Sequence, residues 1–197
     1  MNCLLAGVGV WIGAYLTWLT PLYYGPTVAA LAAFLVCAGG NTINDLVDIE
    51  ADRINRPDRV LVKGRLSKKY VRNLAIVLNA MAIVMAISVS LWLTTIAVTT
   101  IGLLLVYNLR LKKVPLLGNA LVALLAALTF ITGGIAVDPA LTFRLPGPLI
   151  AAAFAFLFHL VREIVKDVQD IEGDRKAGLS SLPQVIGVSM SLVASVF

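Results

Sequence analysis

Asn44-Asp45-Leu46-Val47-Asp48-Ile49-Glu50-Ala51-Asp52-Arg53 is the stretch on which the reading of this chain turns. It sets Asp45, Asp48 and Asp52 in a row inside an otherwise very apolar sequence. With 3.6 residues per turn, positions i, i+3 and i+7 fall on one face of a helix. Three carboxylates on one face repel each other, and a cation between them relieves the repulsion. The same spacing returns 122 residues later as Asp167, Asp170 and Asp174, followed by Arg175. Written out, D-L-V-D-I-E-A-D-R is answered by D-V-Q-D-I-E-G-D-R, with six of nine residues identical.

The background to these motifs is a membrane composition. Of 197 residues, 59% are hydrophobic and 14% charged, and the mean hydropathy is +0.91. A soluble domain this apolar has too little polar surface to stay dissolved. Cys3 and Cys37 lie in apolar runs without CxxC spacing or a histidine cluster, and read as small buried hydrophobes. No basic segment precedes the first apolar run and no small-residue cleavage site follows it, so that run reads as a mature helix and not a signal peptide.

Seven apolar segments can be set against the ~20 residues of a bilayer crossing. They span about 2–19, 26–43, 71–91, 93–109, 116–137, 148–165 and 182–197. A tight turn near Trp92–Thr94 is expected between the third and fourth. Trp11, Trp18, Tyr15, Tyr23 and Tyr24 cluster near the first hairpin, where some suit an interface. Even-numbered connections and their flanks hold 15 of the 16 basic residues, with Arg144 the exception, and 10 of the 11 acidic ones, with Asp138 the exception. Even connections share one side of the membrane, and the positive-inside rule makes that side cytoplasmic. Both acidic motifs therefore sit on that side, at the ends of the second and sixth segments, where they can face each other across one cavity.

Two carboxylate sets at the mouth of a helix bundle suit a hard divalent cation. Mg²⁺ takes oxygen ligands, binding through a few carboxylates and substrate phosphates, so Asp45, Asp48, Asp52, Asp167, Asp170 and Asp174 are the candidate metal ligands. Arg53, Arg56, Lys112, Arg162 and Lys166 stand beside them as candidates for phosphate oxygens. An apolar bundle below suits a long hydrocarbon. The expected ligand is an amphiphile with a diphosphate head and a lipid tail, and a prenyl diphosphate fits. Its ionisation gives an allylic carbocation that a dry cavity protects from water.

At these residues the chain resembles a known family. N-D-x-x-D-x-x-x-D at Asn44–Asp52, with R-x-x-R-P at Arg53–Pro57, resembles the UbiA superfamily of intramembrane prenyltransferases, and D-x-x-D-x-E-G-D at Asp167–Asp174 looks like its second Asp-rich signature. The resemblance implies an all-α, polytopic membrane helix bundle with nine helices at full length, of which about six and a half are present here. On that footing residues 1–197 are a single transmembrane prenyltransferase domain, truncated at its C-terminus. It also implies Mg²⁺ as cofactor, a prenyl diphosphate donor, a lipid or aromatic acceptor, surrounding membrane lipids and no nucleic-acid partner. The family's Y-x-x-x-K is one residue longer here, as Tyr107-Asn-Leu-Arg-Leu-Lys112, which leaves Lys112 and Arg110 as alternatives for the lysine position. Asp48, Asp170, Lys112 and Tyr107 are then the residues expected to carry catalysis. The segments near Asn2, Tyr107–Asn119 and Arg162–Gly178 look most like the archaeal digeranylgeranylglyceryl phosphate synthases. That likeness implies transfer of a geranylgeranyl group to geranylgeranylglyceryl phosphate, with an aromatic prenyltransferase for quinone or haem precursors as the alternative.

Other polar residues divide between site and scaffold. Asn44, at i, i+4 and i+8 with Asp48 and Asp52, leans towards the site, and Asn41 towards supporting it. Asn108 and Tyr107 are cavity-lining candidates, with an interfacial tyrosine as the plainer reading. Glu50 and Glu172 fall off the aspartate face and suit salt bridges with nearby arginines. The eight basic residues from Arg53 to Arg72 are mostly a positive-inside loop for anionic headgroups, with Arg53 and Arg56 singled out for phosphate. His159 reads as packed or interfacial more than as a general base. Gly39-Gly40 and Gly133-Gly134 read as close-packing sites between helices. A CDP-alcohol phosphotransferase would need D-G-x-x-A-R, which neither motif contains. A transporter would carry its charges in mid-helix, and a non-catalytic membrane subunit is the remaining alternative.

Overall fold

The computed structural model describes residues 2–17, 23–176 and 181–194, without the side chains of Asn55, Lys113, Glu172, Asp174, Lys176 and Ala194. Trp18 lies outside the described residues. The chain is all-α. In order come α1 (Asn2–Tyr15), α2 (Tyr24–Val47), α3 (Ile49–Asn55), α4 (Lys68–Ile87), α5 (Leu91–Leu109), a 3-10 turn (Leu111–Lys113), α6 (Leu117–Val137), α7 (Pro148–Lys176), α8 (Leu182–Ile186) and α9 (Val188–Ala194). Five of these are long and apolar enough to cross a bilayer: α2, α4, α5, α6 and the Pro148–Ile171 part of α7. At 14 residues α1 is shorter.

Several expected boundaries move, each for a local reason. The turn between the third and fourth segments falls at Ser88–Ser90 and not at Trp92–Thr94. The Ser90 hydroxyl caps α5 by accepting from the Leu93 N–H at 3.2 Å, leaving Trp92 inside the helix. The seventh segment is not one helix over its described part. Gly187, at φ 85°, separates α8 from α9, a left-handed conformation that glycine adopts without cost. The second segment runs on to Val47 and carries the start of the first motif, and the sixth runs on to Lys176 and carries the second motif on the helix that crosses the bilayer.

Small residues hold the bundle together. The buried apolar clusters are Val10, Ala29, Ala30, Ala86, Leu93 and Ala97, and then Ala32, Val36 and Ala82. In lipid, helices gain little from hiding leucine from hydrocarbon; they associate by close backbone approach, which small residues permit. The crossing of α1 and α6 is the tightest case. A Cβ on Gly133 would lie 1.9 Å from the Val10 carbonyl oxygen, and one on Gly13 1.9 Å from that of Phe130. Gly39 and Gly40 likewise abut Asn79 and Leu104. Large apolar side chains instead face outwards, as Ile76, Val77, Val84 and Ile87 do on α4. This packing sets α1, α2, α5, α6 and α7 around a common interior.

Candidate active site

That interior is a cavity of about 1180 Å³, larger than the ~300–1,000 Å³ of a typical small-ligand pocket. Its wall is apolar and includes Leu5, Val36, Ile96, Val122 and Phe154. It extends along α5 from Leu93 to Asn108, ~22 Å at the helical rise. Charge gathers at the Asn108 end. Asp45, Asp48 and Asp52 line the cavity there together with Asp167 and Asp170, and so do Asn44, Arg56, Tyr107, Asn108, Lys112, Arg162 and Lys166. Residues 122 positions apart thus meet at one mouth, because α2 and α7 deliver them from the same end of the bundle. The Asp174 side chain lies outside the described residues.

The first motif is not one continuous helical face. Backbone bonding continues through it, from Asp48 N–H to Asn44 O at 2.9 Å and from Asp52 N–H to Asp48 O at 2.7 Å. Asp48 itself, at φ −88° and ψ 4°, leaves the helical region and separates α2 from α3. The carboxylates accordingly part company. Arg59 Nη1 bridges Asp45 Oδ1 at 2.6 Å and Asp52 Oδ2 at 2.7 Å. Asp48 turns to Asn44, whose Nδ2 donates to its Oδ2 at 2.8 Å, and to the ammonium group of Lys112. Lys112 also donates to Asn44 Oδ1 at 3.3 Å. Lys112 therefore reaches the motif, while Arg110 does not line the cavity.

In the second motif, α7 runs unbroken through Asp167 and Asp170. Asp167 Oδ2 accepts from Asn119 Nδ2 at 2.8 Å, so the amide at the start of α6 fixes it. Buried Glu163, one turn earlier, pairs with Arg162.

Some candidates sit elsewhere. Arg53 does not line the cavity; it pairs with Glu50 at 2.8 Å, the two side chains being 58% and 74% exposed. Asn41 does not support the acidic turn. Its Nδ2 faces Cys3 Sγ at 3.4 Å and Cys37 Sγ at 3.9 Å, and those thiols are half-buried, not buried. His159 packs edge-on against Phe158 at 5.8 Å between centroids and also lines the wall. Arg59 and Asn119 escaped the sequence reading. Arg59 was one of eight basic residues in a loop, with nothing to single it out. Asn119 did carry a signal, a lone amide opening the long apolar run of α6.

A polytopic helix bundle whose cavity is apolar along its length and doubly acidic at its mouth defines a membrane protein suited to an amphiphilic ligand. The chain belongs to the UbiA prenyltransferase family, which it matches over residues 3–197, and it is a multi-pass membrane protein. It is 39% identical to the digeranylgeranylglyceryl phosphate synthase of Methanopyrus kandleri, over 100% of this chain and 71% of the relative. It is 41% identical to that of Thermococcus kodakarensis, over 94% and 66%. The chain thus spans about two thirds of the length of these relatives. A solved structure of a digeranylgeranylglyceryl phosphate synthase is similar at a TM-score of 0.76 and 32% identity, covering 98% of this chain and 68% of that one. A UbiA homologue from Archaeoglobus fulgidus, bound to GPP and Mg²⁺, is similar at 0.80 and 25%, over 98% and 68%.

Proposed function

We propose that this protein transfers a prenyl group, geranylgeranyl, from its diphosphate to the free hydroxyl of geranylgeranylglyceryl phosphate, with Mg²⁺ as cofactor. The observation that carries the proposal is a cavity shared by both aspartate motifs, apolar along its length and lined at its mouth by those motifs and a set of cations. The likeness to the digeranylgeranylglyceryl phosphate synthases supports the acceptor, and the relative bound to GPP and Mg²⁺ supports donor and metal.

Mg²⁺ fits the donor set, since Asp45, Asp48, Asp52, Asp167 and Asp170 offer carboxylate oxygens only. Among the described residues no three His, Cys, Asp or Glu side chains are gathered closely enough to hold an ion as they stand. Asp45 and Asp52 already meet Arg59, and Asp48 meets Lys112. Metal loading therefore competes with two resident cations. A bound divalent ion neutralises charge that builds on a leaving diphosphate.

The chain's own groups do the rest. Arg56, Arg162 and Lys166 take phosphate oxygens. The wall from Leu93 to Leu104 holds the tail and keeps water from the reacting carbon. The allylic carbon–oxygen bond breaks with its electron pair leaving on diphosphate. A new bond forms from that carbon to the acceptor's hydroxyl oxygen, whose proton passes to a carboxylate at the mouth. The positive-inside rule sets the mouth on the cytoplasmic side of the cell membrane.

The test is a transfer assay on the purified protein in lipid–detergent micelles with geranylgeranyl diphosphate. With Mg²⁺ and geranylgeranylglyceryl phosphate, diphosphate release and a diether product are expected; EDTA should abolish both. A hydroxybenzoate offered as acceptor should yield nothing. Product from the aromatic acceptor alone would move the assignment to the aromatic branch, and no metal-dependent product in any arm would overturn it.

A further inference from the structure

Among the described residues, three buried side-chain oxygens lack any hydrogen-bond partner: Thr100 Oγ1, Asn108 Oδ1 and Ser181 Oγ. All three residues line the same cavity. Elsewhere in the bundle the rule holds that buried polar groups are paired. Thr94 and Thr132, for instance, turn their hydroxyls onto carbonyl oxygens one turn back at 2.9 and 2.7 Å. Unpaired oxygens confined to a ligand cavity point to partners that a ligand brings.

Asn108 is the most informative of the three. It is 4% exposed. Its Nδ2 is committed to the Leu104 carbonyl at 2.8 Å, so what remains is an acceptor that needs a donor. It stands at the charged end of the cavity, one turn before Lys112, which binds Asp48. A prenyl diphosphate has little to offer Oδ1, for its tail is hydrocarbon and its ionised head accepts hydrogen bonds. The second substrate, by contrast, carries a hydroxyl that can supply the missing O–H.

We propose that Asn108 Oδ1 accepts the hydrogen bond of the acceptor's nucleophilic hydroxyl and holds that hydroxyl at the diphosphate end of the cavity. This rests on the prenyl-transfer reading above and adds to it the group that selects a hydroxyl-bearing acceptor. Asn108 is then a substrate-positioning contact, and its loss moves acceptor parameters without moving those of the donor.

A two-by-two comparison tests it. Geranylgeranylglyceryl phosphate and its analogue lacking the free hydroxyl are compared as ligands of the wild-type protein and of Asn108→Leu, with Asn108→Ala in reserve should leucine not fold. In the wild type, deleting the hydroxyl should weaken binding about tenfold, the scale of one hydrogen bond. In the variant the same deletion should cost less than about twofold, with the KM for geranylgeranyl diphosphate and the Mg²⁺ half-saturation within about twofold of wild type. Thr100→Val removes another unpaired oxygen ~12 Å deeper along α5 and should keep the full tenfold discrimination. Full discrimination retained in the Asn108 variants would overturn the proposal while wild-type transfer left the broader function standing. A parallel fall in donor and acceptor binding would overturn it in favour of a purely structural role. A wild-type protein that forms no prenyl ether would remove the broader reading first, and this one with it.

Discussion

The two acidic motifs share six of nine residues but neither a backbone nor a set of partners. The first breaks at Asp48 and divides its carboxylates between α2, the junction and α3. The second lies within one helix that runs on to Lys176. The first draws cations from outside itself, Arg59 from the following loop and Lys112 from the turn after α5. In the second, Asp167 is held by a neutral amide, Asn119. Near-identical motifs thus acquire different electrostatics from what packs against them. One half is compensated by the protein's own cations. In the other, the contact that holds Asp167 carries no formal charge.

The largest effects come from removing the central carboxylate of either half. Asp48→Ala and Asp170→Ala should each lower metal-dependent turnover at least about 100-fold, as loss of a principal electrostatic contact does. Near-wild-type turnover in both would break the idea that the halves act together. Lys112→Met comes next. The Lys112 and Asp48 side chains are 22% and 15% exposed, so losing the lysine strands a mostly buried carboxylate. The expected cost is about 2 kcal/mol, below the 3–5 kcal/mol of a fully buried pair, read from denaturant unfolding in micelles. Saturating Mg²⁺ should recover part of it by giving Asp48 another counter-charge. An equal loss in Mg²⁺ and in EDTA would separate Asp48 from the metal.

The membrane helices were legible because a bilayer asks for ~20 apolar residues in a row, and the one-sided charge distribution fixed how they pair. The turn at Ser88–Ser90 was hidden by apolar Leu91, Trp92 and Leu93, which continue the run; the marker that counts is the capping hydroxyl of Ser90. The break at Asp48 could not be read locally, since Asp170 precedes the same Ile-Glu pair and stays helical. Meeting of the motifs at one mouth was legible from topology alone. Which side chain neutralises which was not, because Arg59 gains its role only from the loop path that carries it back over α2 and α3. Arg53, adjacent to the motif in sequence, points away to Glu50.

Arg59 and Arg53 therefore give the finest test of how the first half is compensated. Both are arginines of the same segment, six residues apart. Arg59 holds two motif carboxylates, whereas Arg53 makes an exposed pair with Glu50. Arg59→Gln should cost about 1 kcal/mol of stability in EDTA, the worth of charged hydrogen bonds at a partly exposed site. It should also lower the Mg²⁺ concentration for half-saturation, because Asp45 and Asp52 lose a competitor for their oxygens. Arg53→Gln should change stability by no more than about 0.5 kcal/mol and leave turnover and donor KM within about twofold. The pair is read in one titration series, with stability in EDTA and donor binding in Mg²⁺. A tenfold rise in donor KM for Arg53→Gln would mean that Arg53 leaves Glu50 for a phosphate oxygen when the donor binds. The first half would then recruit its phosphate ligands from the solvent side of α3 as well as from the cavity.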